Sequence, residues 1–294
     1  MTVYYKTECV DGLAIFYREA GNQKNPTILL LHGFPSSSHM YRNLIAELSD
    51  EYHIIAPDYP GFGNSDQPST AEFAYTFDNL ADVMDVFVEQ LQLKKYSIYV
   101  HDYGAPVGFR LAVKHPERVQ AIISQNGNAY EEGLLSSWAP VRTYWENPAD
   151  DASINNVLGL LKPEFTKHQY VNGTRNPEKI SPDSWNLDQY VLERPGNSEI
   201  QLALLYDYQN NLNQYPSWHE YFRTYQPPTL VAWGKNDMFF GPDGALAYRK
   251  DLKDVEVHLL NTGHFPLEED LEISVALIKR FLGERIKELE NGVQ

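Results

Sequence analysis

Two kinds of hydrophobic pattern alternate along the chain. Short blocks that are apolar at nearly every position occur at Thr27–Leu31 (TILLL), 53–56 (HIIA), 96–100 (YSIYV), 119–124 (VQAIIS), 229–233 (TLVAW) and Val255–Leu260 (VEVHLL). Near-continuous apolarity over four to six residues predicts strands buried on both faces of a mainly parallel sheet. Between them, 40–49, 77–91, 105–114 and 267–281 carry apolar residues at helical spacing. Residues 2–8 and 12–19, split by Asp11-Gly12, predict an antiparallel hairpin at the front edge of the sheet.

The alternation stops between Tyr130 and Gln226. That stretch contains no convincing strand, several short helical segments, and Pro- and Asn-rich clusters such as ENPADD and TRNPEKISPDS. It is too long for a structureless loop in a compact domain, which predicts a mostly helical insertion with its own packing. Pro227-Pro228 marks the return to the sheet. The expected division is a core in two parts, 1–129 and 226–294, interrupted by a helical cap over 130–225.

Length and composition bound this picture without changing it. A chain of 294 residues is near the size at which one hydrophobic core stops growing, which fits one large domain with an insertion. With 43% hydrophobic residues it can bury enough surface to offset its ordering entropy, so disorder is excluded. The formal charge of −16 argues against nucleic acid and anionic membrane surfaces, which need clustered Lys and Arg. A single cysteine, Cys9, cannot form an internal disulfide and suits a reducing compartment. MTVYYKTECVDG shows no basic stretch followed by an apolar one, so no signal peptide is expected and the location expected is the cytoplasm.

The most informative segment is IYVHDYGAPVG (98–108), where a strand runs through His101-Asp102-Tyr103-Gly104 straight into a helix. A polar residue at such a turn, with a small residue two positions later, fits the strained elbow that presents a nucleophile above a sheet. A helix N-cap aspartate would also sit there. Two further groups fall where sites in open α/β sheets collect, beyond carboxyl ends of strands: Asp237 after TLVAW and His264 after VEVHLL. A buried carboxylate that accepts from an imidazole Nδ1–H fixes the tautomer a general base needs.

With HGFP (32–35), DYPGFGNSD (58–66), VHDYG (100–104), WGKND (233–237) and GHFPLEE (263–269) in this order, the chain resembles the α/β-hydrolases, in their epoxide hydrolase and haloalkane dehalogenase branch. The motifs span the core at both ends. The resemblance implies an eight-stranded, mostly parallel sheet flanked by helices, with a mainly helical cap after the sixth strand. It implies Asp102 as nucleophile, His264 as base and Asp237 as the acid that orients His264. It also implies an oxyanion hole made by the backbone N–H groups of Phe34 and Tyr103. No metal or organic cofactor is expected, and HExxH and paired CxxC motifs are absent. The expected partners are a small apolar organic substrate and water.

An aspartate nucleophile narrows the reaction. Attack on an ester would give an anhydride, whereas attack on an sp³ carbon gives an alkyl ester that activated water can hydrolyse. No Gly-x-Ser-x-Gly occurs, so a serine esterase lacks its nucleophile. In the epoxide hydrolases two cap tyrosines assist the leaving oxygen. Tyr208, within Asp207-Tyr208-Gln209-Asn210, resembles the late one, with Gln209 in place of the usual Arg; Tyr144, in VRTYWEN, resembles the early one by spacing alone. Dehalogenases hold the halide with a Trp after the nucleophile and often an Asn in the HGNP loop, where this chain has Tyr103 and Phe34. Val100 is nevertheless spelled as in many dehalogenases, and Tyr103 departs from the Trp common in epoxide hydrolases too. Asn126 stands where some dehalogenases carry their acid, a task an amide cannot perform. Epoxide hydrolysis is the expected activity. Carbon–halogen hydrolysis is the alternative, and a ligand-binding protein without chemistry on the same fold is the minor one. Nine of the 20 tyrosines and four of the five tryptophans fall within 130–225, the composition of a lid with apolar bulk and polar tips.

Overall fold

The computed structural model describes residues 2–291, and side chains up to residue 285. Eight strands form one sheet: β1 (Val3–Val10), β2 (Leu13–Ala20), β3 (Thr27–Leu31), β4 (His53–Pro57), β5 (Tyr96–His101), β6 (Val119–Gln125), β7 (Thr229–Gly234) and β8 (Val255–Leu260). Their order in space is β1-β2-β4-β3-β5-β6-β7-β8. The β1–β2 and β2–β4 pairs are antiparallel and every later pair is parallel. Asp11 and Gly12 close the hairpin with φ of 49° and 87°, the positive values a two-residue turn of this hand requires.

Side-chain alternation along β3 divides the core in two. Leu29 and Leu31 face a cluster containing α2 (Phe77–Gln90) and α3 (Gly104–Lys114), whereas Ile28 and Leu30 face one containing α1 (Arg42–Leu48) and α12 (Leu271–Asn291). Helix α2 shows how the sequence specifies such an element. Thr76 caps it by accepting from the Asn79 N–H at 3.1 Å, and Phe77, Leu80, Ala81, Met84, Phe87 and Val88 bury one face.

Six helices lie between β6 and β7: α4 (Ala139–Glu146), α5 (Asp151–Leu158), α6 (Pro163–Val171), α7 (Pro182–Leu192), α8 (Asn197–Asp207) and α9 (Gln209–Tyr225). These helices pack on one another, α4 on α5 and α8, and α6 on α7, and their buried residues Val141, Val157, Leu204 and Trp218, with Trp138 just before α4, also join the apolar cluster of β3 and β5. Polar ties reinforce the junction: Asp207 accepts from the Phe77 N–H at 2.7 Å, and Arg42 donates to both oxygens of Glu268 and to Ser184.

Two expected helices differ in form. The predicted segment 40–49 begins as a 3₁₀ turn, Ser38–Tyr41, before α1. The predicted 267–281 helix is divided into α11 (Pro266–Glu269) and α12, because Asp270 leaves the helical region at φ −117° and ψ 37°. Its carboxylate is held by Arg175 from the helical insertion. After β7, α10 (Pro242–Ala247) completes the set. Among the described residues no helix is long and apolar enough to cross a membrane.

Candidate active site

Five neighbouring strands end at the site. In the order β3-β5-β6-β7-β8 their carboxyl ends carry Phe34, Asp102, Asn126, Asp237 and His264. Adjacent strands lie about 4.8 Å apart, so residues remote in sequence converge here.

Asp102 sits at the turn from β5 into α3 with φ of 49°, a left-handed conformation that is strained for a non-glycine residue. Small neighbours make the turn possible. A Cβ at Gly104 would lie 2.0 Å from the Leu31 carbonyl oxygen, and one at Gly33 would lie 2.3 Å from the Asp102 Cβ. The Phe34 N–H donates to Asp102 Oδ1 at 2.6 Å, and the Tyr103 N–H also donates to this carboxylate. These are the two amides expected to form the oxyanion hole, here brought together on one carboxylate. The Phe34-Pro35 peptide bond is cis. His32 steadies this loop: its Nδ1–H donates to the Gly33 carbonyl and its Nε2 accepts from the Tyr59 N–H, each at 3.2 Å. Burial drives its pKa down to about 3, so the ring is neutral. The Gly61-Phe62-Gly63 turn lies beside it, with positive φ at both glycines, and wraps the buried Asp58 carboxylate, which accepts from the Ser38 and Asn64 N–H groups.

His264 and Asp237 form a second unit. His264 Nδ1–H donates to Asp237 Oδ2 at 2.7 Å, which leaves Nε2 without a hydrogen-bond partner, 4.0 Å from Asp102 Oδ2. That separation exceeds a direct hydrogen bond. Asp237 is satisfied on both oxygens, since Oδ2 also accepts from Asn126 Nδ2 and Oδ1 accepts from the Phe239 N–H, each at 2.7 Å. Asn126 in turn accepts from the Gly234 N–H at 2.9 Å, tying the acid's loop to β6. Sequence reasoning dismissed Asn126 because an amide is no acid. Its signal was its place on the strand between those of Asp102 and Asp237.

Burial pushes the Asp102 carboxyl up to about 6, against the pull of His264 and the two amides. Burial works to lower His264, but the charge and hydrogen bond of Asp237 and the charge of Asp102 outweigh it, so its pKa is raised. The ring of His101 packs 4.7 Å from that of His264 and donates through Nδ1–H to the Gln125 carbonyl. Burial holds His101 well below its ordinary value, so it is a neutral neighbour.

Above Asp102 lies a tight cavity of about 30 Å³, lined by Phe34, Asp102, Tyr103, Trp138, Val141 and Phe239 among others. That is room for about one or two molecules the size of water. Larger hollows elsewhere on the surface touch none of these groups. The two cap tyrosines singled out in the sequence are buried but do not line the cavity. The Tyr144 ring packs against Tyr206, with centroids 5.6 Å apart. Tyr208 lies closer to the site, its ring 6.0 Å from that of Tyr103, but its hydroxyl neighbours that of Tyr215. The Tyr103 hydroxyl is buried with no partner. As for metals, Asp85, Glu89 and His115 come together on α2 and after α3, where Lys114 and Arg118 already pair with Asp85 and Glu89.

A family model described as alpha/beta hydrolase fold matches residues 26–271. The chain belongs to the α/β-hydrolase family. Among relatives, the uncharacterized hydrolase YNR064C of Saccharomyces cerevisiae is 45% identical over 268 residues, covering 90% of this chain and 92% of the relative. Haloalkane dehalogenase 2 of Mycobacterium tuberculosis is 30% identical, covering 91% of each chain. Epoxide hydrolase 4 of Mus musculus is 28% identical, covering 94% of this chain and 78% of the relative. This α/β-hydrolase is accordingly a hydrolase whose relatives include both epoxide hydrolases and dehalogenases.

Proposed function

We propose that this hydrolase opens small epoxides to diols through a covalent alkyl-enzyme ester on Asp102. The observation that carries the proposal is the pairing of a buried elbow carboxylate, held by two amides, with a His264 Nε2 that has no partner and faces its other oxygen. Asp102 Oδ2, the oxygen nearest His264, attacks the less hindered epoxide carbon, and the C–O bond breaks to leave an alkoxide that takes a proton. Asp102 Oδ1 becomes the carbonyl oxygen of the ester. His264 then removes a proton from water, which attacks that carbonyl, while the Phe34 and Tyr103 amides hold the developing oxyanion. Collapse releases the diol and restores the carboxylate.

Electrostatics order these two steps. Alkylation requires the ionised carboxylate, so it slows as pH falls through about 6. Once alkylated, Asp102 carries no charge, and one of the influences that raised His264 disappears. The imidazole becomes easier to deprotonate just when a neutral base is needed. The polar help for an oxygen leaving group comes from tyrosine: Tyr103 lines the cavity, and Tyr208 packs against it.

A second reading, hydrolysis of a carbon–halogen bond by the same nucleophile, is favoured by one observation. Neither cap tyrosine lines the cavity, and a halide leaves without a proton. The 30% identity to a haloalkane dehalogenase agrees with this reading. Both readings place the covalent bond on Asp102. Single turnover in H₂¹⁸O is expected to put label into the Asp102 carboxylate and, in later turnovers, into the diol. Label in the product with none in Asp102 would show direct attack by water and overturn both.

A further inference from the structure

Gln169, on α6, stands out among the described residues as a buried side chain with both polar ends unpartnered. It is 1% exposed and lines the same cavity as Asp102, yet neither its Oε1 nor its Nε2 has a hydrogen-bond partner. The other fully buried glutamines are engaged on at least one end: Gln125 accepts from Tyr99 and donates to Ser274, and Gln201 donates to Asn197 although its Oε1 has no partner. Within α6 itself Thr166 donates to Gln189 at 2.7 Å, so the helix does satisfy polar groups that face α7. A buried amide left without partners at both ends is costly unless something else supplies them. The polar groups of the lining make no hydrogen bond to it: the Ser137 hydroxyl donates to the Met238 carbonyl, the Trp138 indole N–H donates to the Phe239 carbonyl, and the Tyr103 hydroxyl is itself without a partner. Val141, Leu160, Phe165, Leu205 and Phe239 are apolar.

We propose that Gln169 is a specificity-determining residue that hydrogen-bonds a neutral polar group of the substrate, one able both to donate and to accept, such as a hydroxyl. The inference rests on the reading of Asp102 as nucleophile and extends it: the substrate is an epoxide with a hydroxyl beside the ring, rather than a plain alkyl epoxide. An amide supplies one donor and one acceptor end, which matches a hydroxyl and leaves a carboxylate unneutralised. No Lys or Arg lines the cavity, and the neighbouring Asp102 repels an anion. Epoxy acids and halo acids are thereby disfavoured. Gln169 reacts with nothing. It binds and orients, and it discriminates because a site built to hydrogen-bond a hydroxyl loses those bonds when the substrate lacks one.

The test compares glycidol with 1,2-epoxybutane, which differ by a hydroxyl in place of a methyl, in the wild type, Gln169→Leu and Gln169→Met. The same comparison with 3-bromo-1-propanol and 1-bromobutane makes the result independent of the leaving group. The wild type is expected to favour the hydroxylated member in kcat/KM, by roughly tenfold to a hundredfold. Both variants are expected to abolish or reverse that preference while keeping or improving turnover of the alkyl member, and to melt no lower than the wild type. A hydroxyl-to-methyl ratio unchanged by substitution, or a wild type without the preference, overturns the proposal. If the variants lose activity on both members equally and melt lower, Gln169 is a packing residue and the proposal likewise fails. A wild type that turns over neither pair overturns the reading of Asp102 itself, an outcome separate from the others.

Discussion

The floor and the roof of the cavity are built on opposite principles. On the floor, contributed by strand ends of the sheet, the acidic groups are fastened. Asp237 is held by three donors, and Asp102 Oδ1 by the Phe34 amide. On the roof, contributed by helices between β6 and β7, Gln169 has no partner and Tyr208 is engaged with Tyr215 outside the cavity lining. Groups that must hold a geometry within tenths of an ångström are placed on strands and their short loops, whereas Gln169, the group proposed to meet the substrate, is carried by a helix and has neither polar atom satisfied. The difference assigns chemistry to the floor and selection to the roof, and substitutions on each side should behave accordingly.

The largest expected effect lies on the floor. His264→Gln removes the base for water while leaving the Asp102 oxygens and both amides in place. Steady-state turnover is expected to fall on the order of 10⁴-fold. Alkylation should continue, so intact-protein mass spectrometry should find the enzyme heavier by one substrate. A variant that binds substrate but stays at its native mass would remove His264 from the second step and break the division between the steps. Asn126→Ala tests the support beneath the acid. It deletes the donor to Asp237 Oδ2 but touches no reacting atom, and losing a hydrogen bond to a charged group costs roughly ten- to a hundredfold. The loss should fall on hydrolysis of the alkyl-enzyme, with the rapid first turnover preserved. Equal slowing of both steps would make Asn126 a general structural support instead of a positioning residue for His264.

The same division explains what could be read from the sequence. The floor was legible because each of its members lies just beyond a run such as TLVAW or VEVHLL, and continuous apolarity reports a buried parallel strand directly. Asp102, Asp237 and His264 were accordingly expected near one another, the Phe34 and Tyr103 amides were expected from the family resemblance, and the structure gathers them. Asn126 was visible in position but not in role, because its role is a contact with Asp237, 111 residues away. The roof was far less legible. Helical periodicity gives the apolar face of a segment but not which of nine tyrosines turns inward. Tyr144 was chosen by spacing alone, and its ring packs on Tyr206. Gln169 carries no signal at all in KPEFTKHQY, because being unpartnered is a property of three-dimensional surroundings. The insertion's aromatic excess is also spent partly on the core, where Trp218 packs on Phe109 of α3 with ring centroids 5.4 Å apart.

The smallest expected effect decides whether the leaving-group acid crosses from roof to floor. If Tyr208 assists an alkoxide, its hydroxyl must turn from Tyr215 toward the substrate, and Tyr208→Phe should lower epoxide turnover about tenfold, a modest general-acid contribution. Bromoalkane turnover should stay within about twofold, since a halide needs no proton. Tyr144→Phe serves as the control and should change neither. The informative rival is Tyr103→Phe, which removes a buried hydroxyl without a partner from a residue that already lines the cavity. If Tyr208→Phe is silent on epoxides while Tyr103→Phe is not, the acid belongs to the floor. Every reacting group would then stand on strand ends, with the helices left to selection alone. If Tyr208→Phe carries the loss, the roof takes part in bond breaking, and its mobility sets how often the acid is in place. Burial raises the pKa of both hydroxyls well above the ordinary value, so neither ionises near neutral pH and each keeps the proton the alkoxide needs. Selection between them therefore rests on reach, and the pair of substitutions measures reach directly.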